Sequence, residues 1–146
     1  LISLSIGLVL NNNNLNSTIP SSIGQLTNLK ELNIQNNALS GSIPSDIKFM
    51  TSLYSFYAFN NQIHSTLPKE LFQMERLTMF DLSHNNISGT LSSQYSPASS
   101  IYLGGIILRN NRISGPIPKE INQLKNLQIF GLGNNELTST SKCSVA

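Results

Sequence analysis

Apolar and polar positions along this chain alternate in short bursts that return at a fixed interval. Leu77 to Leu91 (LTMFDLSHNNISGTL) shows the burst most fully. It reads L-x-x-L-x-L-x-x-N-x-L, with Phe80 in the second leucine place, and continues x-G-x-L. The same frame opens at Leu29, Leu53, Leu103 and Leu127, and a less regular copy runs through Leu8, Leu10, Asn13, Leu15, Ile19 and Pro20. Within each copy the L-x-L pair carries the period-two alternation of a short half-buried strand. The frame asparagines Asn13, Asn37, Asn61, Asn85, Asn111 and Asn135 are separated by 24, 24, 24, 26 and 24 residues. Self-similarity at such a period marks a solenoid, in which each unit buries its apolar face only against its neighbours. We therefore read residues 1–146 as one domain of about six repeats, with one strand per repeat stacked into a parallel sheet.

Each frame asparagine follows the strand, where the chain must turn away from the sheet. Asparagine tolerates unusual backbone angles, and its amide can bond backbone groups that a turn leaves unpaired. The six amides are thus expected to stack as a structural ladder along the interior. A second short element follows, reading G-x-I-P at Gly41–Pro44 and Gly115–Pro118. The proline then opens a segment such as Pro20 to Leu26, whose apolar residues Ile23, Leu26 and Leu29 are three apart. That spacing predicts a 3₁₀ or short helical turn packing back on the core. The fourth repeat departs from the rule, with no proline after Leu91 and two extra residues within 92–102. This insertion is expected to bulge outward as a neutral variation of the convex side. At the start, Ile2, Leu4, Ile6, Leu8 and Leu10 alternate with smaller residues, which reads as a strand and not as a leader peptide. That strand is expected to serve as a makeshift end whose free edge favours self-association.

Composition narrows the function classes. Charged residues make up 11% of the chain and the net charge is +2, too few and too scattered for a nucleic-acid stripe. No stretch is apolar enough to span a membrane. Cys143 is the sole cysteine, so an internal disulfide is excluded and an inert thiol is the default reading. Sequons for N-glycosylation occur at Asn16 and Asn86, which is no enrichment in so Asn- and Ser-rich a chain. His64 and His84 occupy different places in the frame, without an acid or nucleophile around them. No metal-ligand cluster, phosphate-cradling loop or carboxylate pair appears, so neither an enzyme nor a cofactor is expected.

The G-x-I-P element after L-x-x-L-x-L-x-x-N-x-L resembles the plant-type class of leucine-rich repeats. That class is seen in receptor-like kinase ectodomains and in polygalacturonase-inhibiting proteins, and Leu82 to Gly89 (LSHNNISG) is especially close to its pattern. The resemblance covers about Ile6 to Thr140. It implies an α/β repeat solenoid with a parallel sheet on the concave face and 3₁₀ or short helical turns on the convex face. It further implies an extracellular or cell-surface recognition module without chemistry of its own, an intracellular setting being the alternative. The paired cysteines of that class's amino-terminal cap are not found here.

Strand residues that alternate with the buried leucines point to the concave face. Chemistry concentrates there in the middle repeats, at Tyr57, Phe59, Met79, Asp81, His84, Ile107 and Arg109. An aromatic cluster rimmed by polar groups marks recognition of a protein or peptide partner; carbohydrate is a further candidate ligand for the adjoining asparagine column. Two other readings stand beside it. One is a structural spacer segment of a larger protein. The other is adsorption to ice or a polysaccharide through a row of Thr18, Ser42, Thr66, Thr90, Pro116 and Thr140.

Overall fold

A computed structural model describes residues 6–91 and 101–139. The strands in chain order are β1 (Gly7–Val9), β2 (Glu31–Asn33), β3 (Ser40–Gly41), β4 (Ser55–Tyr57), β5 (Gln62–Thr66) and β6 (Met79–Asp81). They continue as β7 (Asn86–Thr90), β8 (Gly105–Ile107), β9 (Arg112–Gly115), β10 (Ile129–Gly131) and β11 (Glu136–Leu137). Two parallel sheets result, ordered β1-β2-β4-β6-β8-β10 and β11-β9-β7-β5-β3. Four 3₁₀ turns lie on the far side: η1 (Ser21–Gln25), η2 (Ser45–Phe49), η3 (Lys69–Phe72) and η4 (Lys119–Gln123). Each follows a proline, Pro20, Pro44, Pro68 or Pro118, whose fixed φ holds the chain extended up to the turn. The expected strand start at Ile2, the expected bulge over 92–100, Thr140 and Cys143 fall outside the described residues.

The first sheet pairs in the frame's own register. Gly7, Glu31, Ser55, Met79, Gly105 and Ile129 stand side by side, as do Val9, Asn33, Tyr57, Asp81, Ile107 and Gly131. The two extra residues of the fourth repeat are therefore absorbed before β8. Between those columns Leu32, Phe56, Phe80 and Ile106 point inward and are buried. The helical turns close the core from behind with Ile47, Met50, Leu71, Met74, Ile121 and Leu124, as their three-residue spacing predicts. In the first repeat the same spacing fails, and Leu26 stays exposed.

The asparagine ladder is present, with a fixed bonding rule. Asn61 Nδ2 donates to the Ile34 carbonyl of the preceding repeat and to Ala58 and Phe59 of its own, while Oδ1 accepts the Leu39 N–H. Asn37, Asn85, Asn111 and Asn135 repeat this pattern bond for bond. The unusual backbone angle, however, does not sit on the frame asparagine. It falls one residue earlier, at Asn12, Asn36, Asn60, His84, Asn110 and Asn134, all with φ between 53° and 58°.

The second sheet corrects the expected threonine row. Its strands pair with a two-residue stagger, so Thr18 bridges to Ser40, Thr66 faces Ser88 and Thr90 faces Ser114. Equivalent threonines of successive repeats are thus roughly 8 Å apart, from two residues of rise combined with one strand spacing. They therefore lie on a spaced diagonal and not in the straight column that their equal frame positions suggested. Their methyls work within the fold instead. A Cβ on Gly41, Gly89 or Gly115 would come within 3.0 Å of the Cγ2 of Thr18, Thr66 or Thr90 respectively. These glycines also hold φ of 75° to 85°, which glycine alone adopts without strain. The step from the second repeat to the third breaks both halves of the arrangement together. Ser42 supplies no methyl, and Ser65 replaces the glycine at φ 114°. Relief of that backbone strain makes Ser65→Gly stabilising by ~1 kcal/mol after the entropic cost of the glycine. Chemical denaturation reads it, and a loss of stability would refute the strain assignment.

Candidate functional site

The concave sheet gathers the expected recognition residues but distributes them unevenly. Tyr57 and Phe59 on the third repeat, Met79 and Asp81 on the fourth, and Ile107 on the fifth are all half-buried. Tyr57 Oη reaches Met79 Sδ at 3.7 Å. Met79 in turn leans over Gly105, where a Cβ would meet its Cε at 2.6 Å. Glycine at 105 thus makes the hollow that the thioether occupies. Arg109 is exposed and lies over Gly131 in the same way, its Nε 3.0 Å from where a Cβ would stand.

Asp81 and His84 have local tasks. One carboxylate oxygen of Asp81 accepts from the Ser83 N–H at 2.9 Å and from its hydroxyl at 2.6 Å, closing a small turn at the strand end. Ser83 is buried by this, although it belongs to a column that alternation would place outward. His84 occupies the positive-φ row at the edge of the sheet, and its Nε2 lies 3.0 Å from Asn110 Nδ2. The amide N–H₂ is the donor, so Nε2 accepts. Asn36 donates to Asn12, Asn60 to Asn36 and Asn134 to Asn110 along the same exposed row. His84 therefore stands within a ladder of amides, at one side of the aromatic cluster.

On the other side, the sheet holds an open groove of about 630 Å³. Tyr54, Tyr57, Met79, Tyr102 and Ile129 supply its apolar walls, and Gly104 and Gly105 add no side chain to its lining. Tyr54, Tyr102 and Ile129 are exposed despite their large apolar side chains. Ile129 stands in the strand column of Met79 and Gly105, whereas the two tyrosines precede their strands and were missed by sequence reasoning. Tyr54, Thr78, Gly104 and Gln128 hold the same frame position in successive repeats, and each bonds the backbone of the one before it. The sequon asparagines Asn16 and Asn86 are both exposed. Among the described residues no cluster of His, Cys, Asp or Glu is arranged to hold a metal ion, and no helix is long and apolar enough to cross a membrane.

Comparison with known proteins returns one family profile and many solved structures. The Leucine Rich Repeat profile matches residues 6–26, 28–50 and 76–96. The LRR ectodomain of the receptor kinase SOBIR1 from Arabidopsis thaliana superimposes with a TM-score of 0.80 at 32% identity, over 92% of this chain and 72% of that one. The Arabidopsis receptor kinase HAESA, solved with the peptide hormone IDA and the co-receptor SERK1, gives 0.86 at 31% identity over 90% of this chain. The plant peptide hormone receptor RGFR1, solved with RGF2, gives 0.85 at 30% identity over 90% of this chain. This chain spans about a fifth of the length of the latter two, 22% and 21%. A search of curated protein sequences returns no match.

Proposed function

The chain belongs to the leucine-rich repeat family, of the plant receptor-ectodomain type, and from that premise we propose that it is a non-enzymatic, extracellular recognition module. Its partner is a peptide or a protein segment that lies extended across the concave strands. The observation that carries this reading is the groove walled by Tyr54, Tyr57, Met79, Tyr102 and Ile129, which continues into the cluster at Phe59 and Ile107. Aromatic side chains offer the largest contact area per fixed torsion, so Tyr57 and Phe59 are the anchors. Asp81, His84 and Arg109 border them and set the orientation of the partner through charge and hydrogen bonding. HAESA was solved with a peptide hormone and the peptide hormone receptor RGFR1 with RGF2, which supports a peptide as the partner class.

The test begins with peptides selected on the chain from a displayed random library. Joint substitution of Tyr57→Ala and Phe59→Ala should weaken the selected peptides by ~2 kcal/mol or more, with an unchanged far-ultraviolet circular dichroism spectrum as the sign that the chain stays folded. Replacing Thr18, Thr66 and Thr90 with serine should leave that affinity intact, since they lie on the second sheet. Selected peptides that ignore the aromatic pair and respond to the threonine triple would overturn the concave-face reading.

A further inference from the structure

The exposed row at the edge of the concave sheet is a run of bonded side chains with one interior step missing. Asn36 Nδ2 donates to Asn12 Oδ1, and Asn60 Nδ2 to Asn36 Oδ1. Further along, Asn110 Nδ2 donates to His84 Nε2, and Asn134 Nδ2 to Asn110 Oδ1. Every step runs the same way, from an amide nitrogen to an acceptor in the preceding repeat. Between Asn60 and His84 the described structure holds no such bond. Both residues are nevertheless exposed and keep the backbone conformation of the row, with φ of 55° and 53°.

The missing step leaves two complementary groups open. His84 Nε2 accepts from Asn110, so the neutral ring carries its proton on Nδ1. Among the described residues that N–H has no acceptor, and Asn60 Oδ1 has no donor. The main chain around them is already engaged. The Asn60 and His84 N–H groups donate to the Ser83 and Arg109 carbonyls at 3.0 and 2.9 Å, and their own carbonyls accept from Asn37 and Asn61. A free donor and a free acceptor thus stand on adjacent repeats, whose strands lie ~4.8 Å apart. The gap falls directly after Phe59, within the repeats that carry Tyr57, Met79 and Asp81.

We infer that this pair recognises a carboxamide of the bound peptide, the side chain of an Asn or Gln. The inference rests on the peptide reading above and adds the residue class at one position of the ligand. A carboxamide holds an acceptor oxygen and an N–H₂ donor side by side. Its oxygen takes the His84 Nδ1–H, and its nitrogen donates to Asn60 Oδ1. The ligand thereby supplies the rung that the row lacks. An ammonium or guanidinium offers donors alone and a carboxylate acceptors alone, so neither satisfies both groups. An apolar side chain would displace water from both and return no hydrogen bond.

Peptides selected on the native chain from the displayed random library are the probe. They should share an Asn or Gln at one position. Replacing it with the apolar isostere, Leu for Asn or Met for Gln, should weaken binding about tenfold, the order expected for two neutral hydrogen bonds. His84→Asn is the matching change in the protein, because by the rule of the row an asparagine there donates to Asn60, accepts from Asn110 and closes the gap. That variant should keep its circular dichroism, lose affinity by a similar factor, and no longer distinguish the carboxamide peptide from its isostere. Should it fail to fold, His84→Ala removes the same N–H and should give the same loss. Selected peptides without a shared carboxamide, or with affinities that ignore His84, overturn the inference; if they still depend on Tyr57 and Phe59, the concave-face reading stands without it. Peptides that keep the carboxamide and His84 effects but ignore the aromatic pair uphold the inference and remove the proposed anchors. Binding of oligosaccharides that is lost in His84→Asn, with peptides indifferent to it, would assign the pair to sugar hydroxyls and refute the carboxamide.

Discussion

Phe80→Ala is expected to lower the unfolding free energy by ~3–5 kcal/mol, the range for emptying a fully buried aromatic site. Phe80 has no solvent exposure and lies in the fourth of six strands, packed between Phe56 and Ile106 in register. Its ring also meets Phe72 from η3 edge-on, with centroids 5.6 Å apart and planes at 89°. One substitution therefore opens a cavity between the sheet and the convex turns and affects the contacts with both flanking repeats. In a solenoid, stability is close to a sum of repeat terms and nearest-neighbour interfaces, so a central loss removes two interfaces at once. Phe130→Ala occupies the same frame position two repeats on, where the ring is only half-buried. It should cost less than half as much. Urea denaturation of the two variants side by side decides this. Equal losses would mean that the core is not graded from centre to end.

How much of this was legible in the sequence depends on which period governs the feature. The first sheet was readable residue by residue, because its pairing register equals the 24-residue repeat and the alternation L-x-L sets the inward side. The second sheet was not. Its strands share the same repeat length but pair with a stagger, and strand tilt is set by stacking in three dimensions, which no single repeat encodes. Thr18, Ser42 and Thr66 therefore looked like a column in the sequence and are a spaced diagonal in the fold. The positive-φ row was hidden for a different reason. Five of the six turns carry two consecutive asparagines, so composition alone cannot tell the strained residue from the bonding one. His84 before Asn85 is the exception that separates the two roles. As for the groove, Tyr54 and Tyr102 belong to positions before the strand that alternation does not assign to a face. They reach the concave side where Gly104 and Gly105 carry no side chain to fill the space.

The ladder itself is the second large effect, and Asn61→Ala isolates it. Alanine keeps the backbone in place and removes an amide that serves three carbonyls and one N–H across two repeats. Each buried group left without a partner costs roughly 1–3 kcal/mol. Water can enter at the partly buried edge and recover part of that cost. The net loss is therefore expected at ~2 kcal/mol or more. Asn13→Ala supplies the internal control, because among the described residues its amide bonds two carbonyls, both of its own exposed repeat. Its effect on the unfolding of the dilute, monomeric chain should stay below half of the Asn61 value. A ladder that is merely decorative would give small and equal losses at both positions. A ladder that joins repeats gives a large loss where the amide bonds groups of two repeats, and this inequality, read by chemical denaturation at low protein concentration, separates the two.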